Sequence, residues 1–416
     1  MMTRPNRSIV LSGGGARGAY EAGVLNYIFT QLPAALLEKN RIKIVCGTSV
    51  GAIHACFLAA WAHRTDHNIG DLLEVWRAFR LDKLLRLGTW DIMRLPLDVR
   101  RLFSQKNAEQ GIFLNAAVLH KIVSDDIPWQ HMHNNLNQGR IDGVTVSATH
   151  IASGKTVVFI DRPDGVPSWT RDHRRVARAT RIGPMHALAS AAIPLLFSAI
   201  RIDGAYYCDG GLRQNTPLSP ALRLGADRVL VIPVGHGKDN SGPQKVTTTA
   251  PTVDPDIGTD EAYPGPSLLL GKVLNALLLD HLDYDLAQLR GFNRLLEDGT
   301  RTFGESFLDE LSKTTQKFRG AGYRNVDTVV VRPSADLGVA AAQFLDSGVL
   351  DRDLRPMARW LLHYMTADAD GPGGRQSNSD LVSYLLFDGR LSQTLIDLGM
   401  ADADACRAAL IDFFTD

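Results

Sequence analysis

The sequence predicts an α/β protein: a three-layer α/β/α sandwich on a mainly parallel sheet, followed by a helical C-terminal region. Three observations carry that expectation. From residue 7 to about 235, short apolar runs of strand length alternate with helical stretches, as a sheet covered by helices requires. Two of the strand-to-helix junctions are glycine-rich. Beyond residue 266 the apolar spacing becomes mainly helical.

Taken in order, the strand candidates are Ser8–Ser12, Ile42–Gly47, Val144–Ala148, Thr156–Ile160 and Arg228–Val234. The third and fourth flank the short turn Ala152-Ser153-Gly154 and are expected to form an antiparallel hairpin. Helices are predicted over Ala19–Gln31, Gly51–His63 and Pro217–Leu224. For the last, Thr216 suits the cap, Pro217 the first helical position and Gly225 the exit. Residues 235–266 are rich in Gly, Pro, Thr, Asp and Ser and read as a linker or surface loop. Leu268–Leu296 reads as a long amphipathic helix, Thr328–Arg332 as a further strand, and 371–379 as a loop between the closing helices. The expected organisation is therefore an α/β domain over 8–235, a linker or loop over 236–266 and a mainly helical region over 267–416 packed on the first.

The 416 residues are ample for a full core. The formal net charge of zero hides an asymmetry, with 28 Lys+Arg against 18 Asp+Glu in residues 1–236 and 17 against 27 thereafter. A basic front is compatible with anionic lipid or with nucleic acid. Cys46, Cys56, Cys208 and Cys406 lack metal-ligand or C-x-x-C spacing and read as reduced thiols of a cytosolic protein. The N-terminus runs into its first strand without an apolar stretch of signal-peptide length, and no apolar run reaches the roughly 18–20 residues that span a bilayer. The expected location is the cytoplasm, with attachment at the periphery of a membrane and export by a route without a cleaved leader both compatible with the same sequence.

Three motifs carry chemistry. The first, Gly13-Gly14-Gly15-Ala16-Arg17-Gly18, joins a strand to a helix, where glycine lets backbone amides approach an anion. Its spacing also satisfies G-x-G-x-x-G, but the acidic residue that a dinucleotide site needs at the tip of the next strand is missing, since Glu38 precedes that strand. On its own the loop fits a nucleotide site, an oxyanion hole or a tight turn equally. The second, Gly47-Thr48-Ser49-Val50-Gly51, is the G-x-S-x-G elbow that lifts a serine clear of the sheet at a helix N-terminus; the plainer reading is a helix-capping serine. The third, Asp209-Gly210-Gly211, is most often an ordinary turn and gains meaning only beside the other two. A Ser49–Asp209–His236 triad would follow the α/β-hydrolase order. Against it, Ser49 follows only the second predicted strand, and His236 opens the polar stretch, a poor place to hold a base.

A Gly-rich loop with an Arg, then G-x-S-x-G on the second strand, then D-G-G 160 residues after the serine, resembles the patatin-like phospholipase family. Ala189-Ser190-Ala191-Ala192-Ile193-Pro194 matches the family's A-S-x-x-x-P segment. The resemblance covers about residues 8–234 and is weaker for the helical tail. It implies a lipid acyl hydrolase with a Ser–Asp dyad: Ser49 as nucleophile, Asp209 as its base, and an oxyanion cradle from Gly13, Gly14, Gly15, Arg17 and Gly18. Gly47, Gly51, Gly210 and Gly211 are the supporting motif glycines. It implies no cofactor, and a lipid at a membrane surface or micelle as partner in place of nucleic acid. Oligomeric state is encoded in no motif. The rival readings are an acyltransferase or thioesterase on the same dyad, a nucleotide-binding module using the 13–18 loop, and a non-catalytic membrane-binding protein.

Other features are given plainer roles. Arg17 is expected to pin the glycine loop more than to steer a headgroup. The arginines of 171–181 (Arg171, Arg174, Arg175, Arg178, Arg181) read as a solvated face, with contact to anionic lipid as the sharper alternative. Leu268–Leu279 reads as a core helix more than an interfacial one, and Leu84–Phe103 as a cap over the site. His131 and His133 have no acidic or cysteine neighbour at ligand spacing, so no metal site is assigned.

Overall fold

The central strands read as near-continuous apolar runs because helices cover both faces of the sheet. In the computed structural model the described residues are 5–81, 116–165, 174–194, 196–236, 282–304, 306–319, 322–350 and 382–415. They contain one nine-stranded sheet: β1 (Arg7–Leu11), β2 (Ile42–Thr48), β3 (Gly143–His150), β4 (Thr156–Asp161), β5 (Arg175–Ala179), β6 (Ile200–Ile202), β7 (Ala205–Asp209), β8 (Arg228–Ile232) and β9 (Asp327–Val330). The order across the sheet is β5-β4-β3-β2-β1-β8-β9, with β7 also pairing on β3 and carrying β6. Neighbours are parallel except for β3 with β4, β3 with β7, and β6 with β7.

Alternate residues of each strand feed separate cores. Ile9, Leu11, Val45 and Leu230 pack with helices Gly18–Gln31, Val50–Ala60, Pro184–Ser190 and Gly389–Ala405. Val10, Ile44, Cys46 and Val229 pack on the other face with helices Leu218–Arg223 and Leu282–Phe303. This is the expected α/β/α layering, and the chain beyond residue 282 contributes to both outer layers and, through β9, to the sheet itself. Helix Gly389–Ala405 lies close on helix Gly18–Gln31, where a Cβ on Gly23 would stand 2.1 Å from the Ile396 carbonyl oxygen.

The antiparallel pairing of β3 with β4 is the predicted hairpin. Three details differ from expectation. The arginine-rich run at 175–179 is an edge strand: β5 places Arg178 against Asp203 and the Tyr207 hydroxyl, so this part of the basic stretch is built into the sheet. Helix Leu218–Arg223 begins one residue after Pro217, which stands at its cap. Thr216, one residue before that cap, has its hydroxyl 2.5 Å from Ser12 Oγ. Gly225 does take the left-handed exit, at φ +99°. The expected cap at 84–103, the helix start at 268–279, the loops at 237–266 and 371–379, and Arg171 lie outside the described residues.

Candidate active site

Ser49 sits between β2 and helix Val50–Ala60 at φ 55°, ψ −126°, a backbone conformation that costs a non-glycine residue roughly 1–3 kcal/mol. The turn is tight because its flanks have no side chains. A Cβ on Gly51 would stand 2.5 Å from the carbonyl oxygens of Leu11 and Ser12, and one on Gly47 would stand 2.1 Å from the Gly51 carbonyl oxygen. The strained amide is held from elsewhere: Ser49 N–H donates to Ser190 Oγ at 2.8 Å, and the Ser190 hydroxyl donates to the Ser147 carbonyl at 2.6 Å. The serine thus stands at a helix N-terminus, where the backbone dipole favours negative charge.

Asp209 ends β7 opposite Ala148 of β3. Its amide donates to the Ala192 carbonyl, and its own carbonyl accepts the Thr149 hydroxyl, both at 2.9 Å. The side chain is then aimed by two bonds. Ser49 Oγ donates to Oδ2 and the Gly211 amide donates to Oδ1, each at 2.6 Å. Asp209 is 0% exposed and Ser49 4% exposed. Burial pushes the Asp209 carboxyl up to about 7, and the bonds from Ser49 and Gly211 act in the opposite direction. A free aspartate, at about 3.9, is too weak a base to draw a serine proton efficiently; a carboxylate near 7 is matched to work at neutral pH.

The glycine loop leaves β1 beside this pair. The Gly13 amide donates to the Asn215 carbonyl at 3.0 Å, whereas no backbone acceptor among the described residues takes the amides of Gly14 and Gly15. A Cβ on Gly13 would stand 3.1 Å from Ser49 Cβ. Gly15 has φ +54° and the Tyr384 carbonyl oxygen 2.3 Å from where its Cβ would be, so only glycine fits there. A Cβ on Gly18 would meet Val50 at 2.6 Å, and one on Gly210 the Ser147 carbonyl at 2.1 Å. Arg17 is buried. Its Nε donates to Ser383 Oγ at 2.7 Å, and its guanidinium lies 4.1 Å over the Tyr384 ring. His236 donates through Nδ1 to the Pro333 carbonyl at 3.0 Å, and Asp209 bonds Ser49 and Gly211, not His236.

Ser49 and Gly15 open into an apolar pocket walled by Val50, Ile53, Trp76, Phe79, Ile193 and Phe387. Trp76 and Phe387 stack at 6.1 Å and 8°. Two contributions went unassigned in the sequence: the Ser190 hydroxyl under the Ser49 amide, and the pocket and loop contacts of Tyr384 and Phe387, which come from far down the chain. Ser190 does stand in the A-S-x-x-x-P segment, so the motif marked the position without its role. Among the described residues, no group of three or more His, Cys, Asp or Glu gathers at metal-binding distance, and no helix is long and apolar enough to cross a membrane.

Comparison with known proteins matches residues 9–222 to the patatin-like phospholipase family. A cGAMP-activated phospholipase of Pseudomonas aeruginosa is 29% identical over 214 residues, covering 50% of this chain and 53% of that protein. A probable lipid hydrolase, 463L, of Invertebrate iridescent virus 6 is 22% identical over 224 residues, covering 52% of this chain and 63% of that protein. The matched part is thus less than two thirds of either relative's length. Among solved structures, VipD from Legionella pneumophila aligns over 92% of this chain and 90% of its own, at 13% identity and a TM-score of 0.30.

Proposed function

The chain belongs to the patatin-like phospholipase family, and from that premise we propose that it hydrolyses acyl esters of glycerolipids, phospholipids foremost, through an acyl-Ser49 intermediate. The observation that carries this reading is the 2.6 Å bond from Ser49 Oγ to Asp209 Oδ2, at the mouth of an apolar pocket. Ser49 Oγ attacks the ester carbonyl carbon as its proton passes to Asp209. The C=O electron pair moves onto oxygen, and the amides of Gly14 and Gly15 stabilise that charge. Losing one such donor typically costs about 3–4 kcal/mol of transition-state stabilisation. The pair then returns, the C–O bond to the alcohol breaks, and Asp209 gives its proton to the departing oxygen. Water repeats the cycle on the acyl-enzyme, its proton going to Asp209 and then back to Ser49 as the fatty acid leaves. The apolar wall of Trp76, Phe79 and Phe387 suits an acyl chain.

Three features support this reading over a nucleotide site: the glycine loop faces Ser49, its root is tied to the loop that follows Asp209, and Glu38 bonds the Thr65 hydroxyl at the protein surface. In this reading Arg17 braces the loop. Labelling with a fluorophosphonate tests the assignment. Label is expected on the parent and on His236→Ala, to be strongly reduced in Asp209→Asn, and to vanish in Ser49→Ala. Undiminished label in folded Ser49→Ala would dismiss it.

A further inference from the structure

Two buried polar side chains take no part in the chemistry just described. Glu21, in the first turn of helix Gly18–Gln31, is 0% exposed, and His54, in helix Val50–Ala60, is 1% exposed. They meet in the core, with His54 Nδ1 2.9 Å from Glu21 Oε2. The second carboxyl oxygen, Oε1, accepts the Ser12 amide at 2.7 Å. On the other side of the imidazole, the Trp76 indole N–H donates to His54 Nε2 at 3.1 Å.

Counting donors fixes the protons. An indole N–H can only donate, so Nε2 must present its lone pair. A neutral imidazole with a bare Nε2 carries its hydrogen on Nδ1. That hydrogen goes to Glu21, which then accepts on both oxygens, as a carboxylate does. An imidazolium would set Nε2–H against the indole N–H, and a proton on either bonded oxygen of Glu21 would face the donor already there. Burial alone raises the Glu21 carboxyl above its ordinary range, and the bonds from His54 and Ser12 oppose that.

The consequence reaches the glycine loop through Ser12. Its amide is held by Glu21, its hydroxyl meets Thr216 Oγ1 at 2.5 Å, and its carbonyl oxygen lies against Gly51. Gly13 to Gly15 follow directly. We infer that Glu21 and His54 are positioning residues, which lock the glycine loop to the helix that carries Ser49, and that Trp76, a wall of the acyl pocket, sets the tautomer in which His54 can do so. The inference rests on the hydrolase reading above; its proton arrangement does not.

The test has two arms. In the intact protein with 15N-labelled histidine, at neutral pH, the His54 resonances are expected to show a proton-bearing Nδ1 and a bare Nε2. An Nε2–H or imidazolium state for His54 there overturns the assignment. This arm is independent of activity, so it still decides the tautomer if the parent fails to label, the outcome that removes the hydrolase reading. In the second arm, Glu21→Gln can satisfy Ser12 only by offering an N–H to His54. That drives the imidazole hydrogen to Nε2, against the indole. The limiting rate of fluorophosphonate inactivation is expected to fall on the order of tenfold to a hundredfold, with half-saturation unchanged. In a Trp76→Phe background, where the opposing donor is gone, the same substitution should cost several-fold less. An equal cost in both backgrounds, or none in either, overturns the positioning role. If Glu21→Gln does not fold, the resonances of the parent still decide between the two proton arrangements.

Discussion

Asp209 is buried with a serine hydroxyl and one amide for company, and no cation is among the causes that shift it. The physical result is a carboxyl that titrates near pH 7. As the base in the proposed reaction it must be ionised, so kcat/KM for a short-chain ester should rise with pH and level off above about 7; a profile flat from pH 5 to 8 would remove Asp209 from that role. The same group has a stability signature of defined sign. Its folded-state value lies above the unfolded value of about 3.9, so the folded chain holds the proton more tightly. Its contribution is fully present below about pH 4 and is lost as pH rises through about 7. Asp209→Asn should therefore be more stable than the parent at pH 8, by roughly 1–4 kcal/mol, with the gap closing towards pH 4. Denaturant melts of both proteins at the two pH values check this.

At the scale of elements, the site is made by two strand-to-helix turns that touch. The carbonyls of Leu11 and Ser12, at the end of β1, occupy the space that any side chain at position 51 would need. Gly51→Ala is expected to push the helix that follows Ser49 away from β1, destabilising the fold by about 1–3 kcal/mol as overpacking does and lowering labelling of Ser49. A thermal melt and a labelling rate equal to those of the parent would contradict it. Local pattern discloses some of these elements and not others. The apolar runs of β1, β2 and β8 and the β3–β4 hairpin were legible, because local pattern and burial agree there. β5 was not: an edge strand needs only one covered neighbour, so its R-V-A-R-A pattern looks like solvated surface. Ser190 and the Glu21–His54 pair were illegible for another reason. Their partners lie 141, 43 and 33 residues away, beyond any local pattern. The available signal was one of isolation, a lone Glu in G-A-Y-E-A-G-V-L and a lone His in V-G-A-I-H-A-C-F-L.

For the whole molecule, the part beyond residue 282 is woven into the same body as the motifs. β9 pairs on β8, Tyr384 closes the glycine loop, Ser383 holds Arg17, and Phe387 walls the pocket. We therefore expect a fragment ending at residue 235 to be insoluble or molten, with weak near-UV circular dichroism. A soluble, cooperatively melting fragment that labels on Ser49 would show that the front of the chain suffices. The motif residues were readable from the sequence, but the closing wall was not, because nothing local to 383–387 announces a partner at Gly15 or Arg17.

Residues far apart in sequence also meet at the opposite end of the sheet, where β1 and β8 begin. Arg7 of β1 donates to the carbonyls of Phe413 and Thr415, and Arg228, its neighbour across β8, donates to Asp412 and Thr415. A strand is thus fastened to a helix made 406 residues after it. A nascent chain carries its serine long before Tyr384 and Phe387 arrive to close the loop and pocket around it. In the proposed hydrolase, lipid cleavage would therefore wait until Tyr384 and Phe387 have been made and have docked.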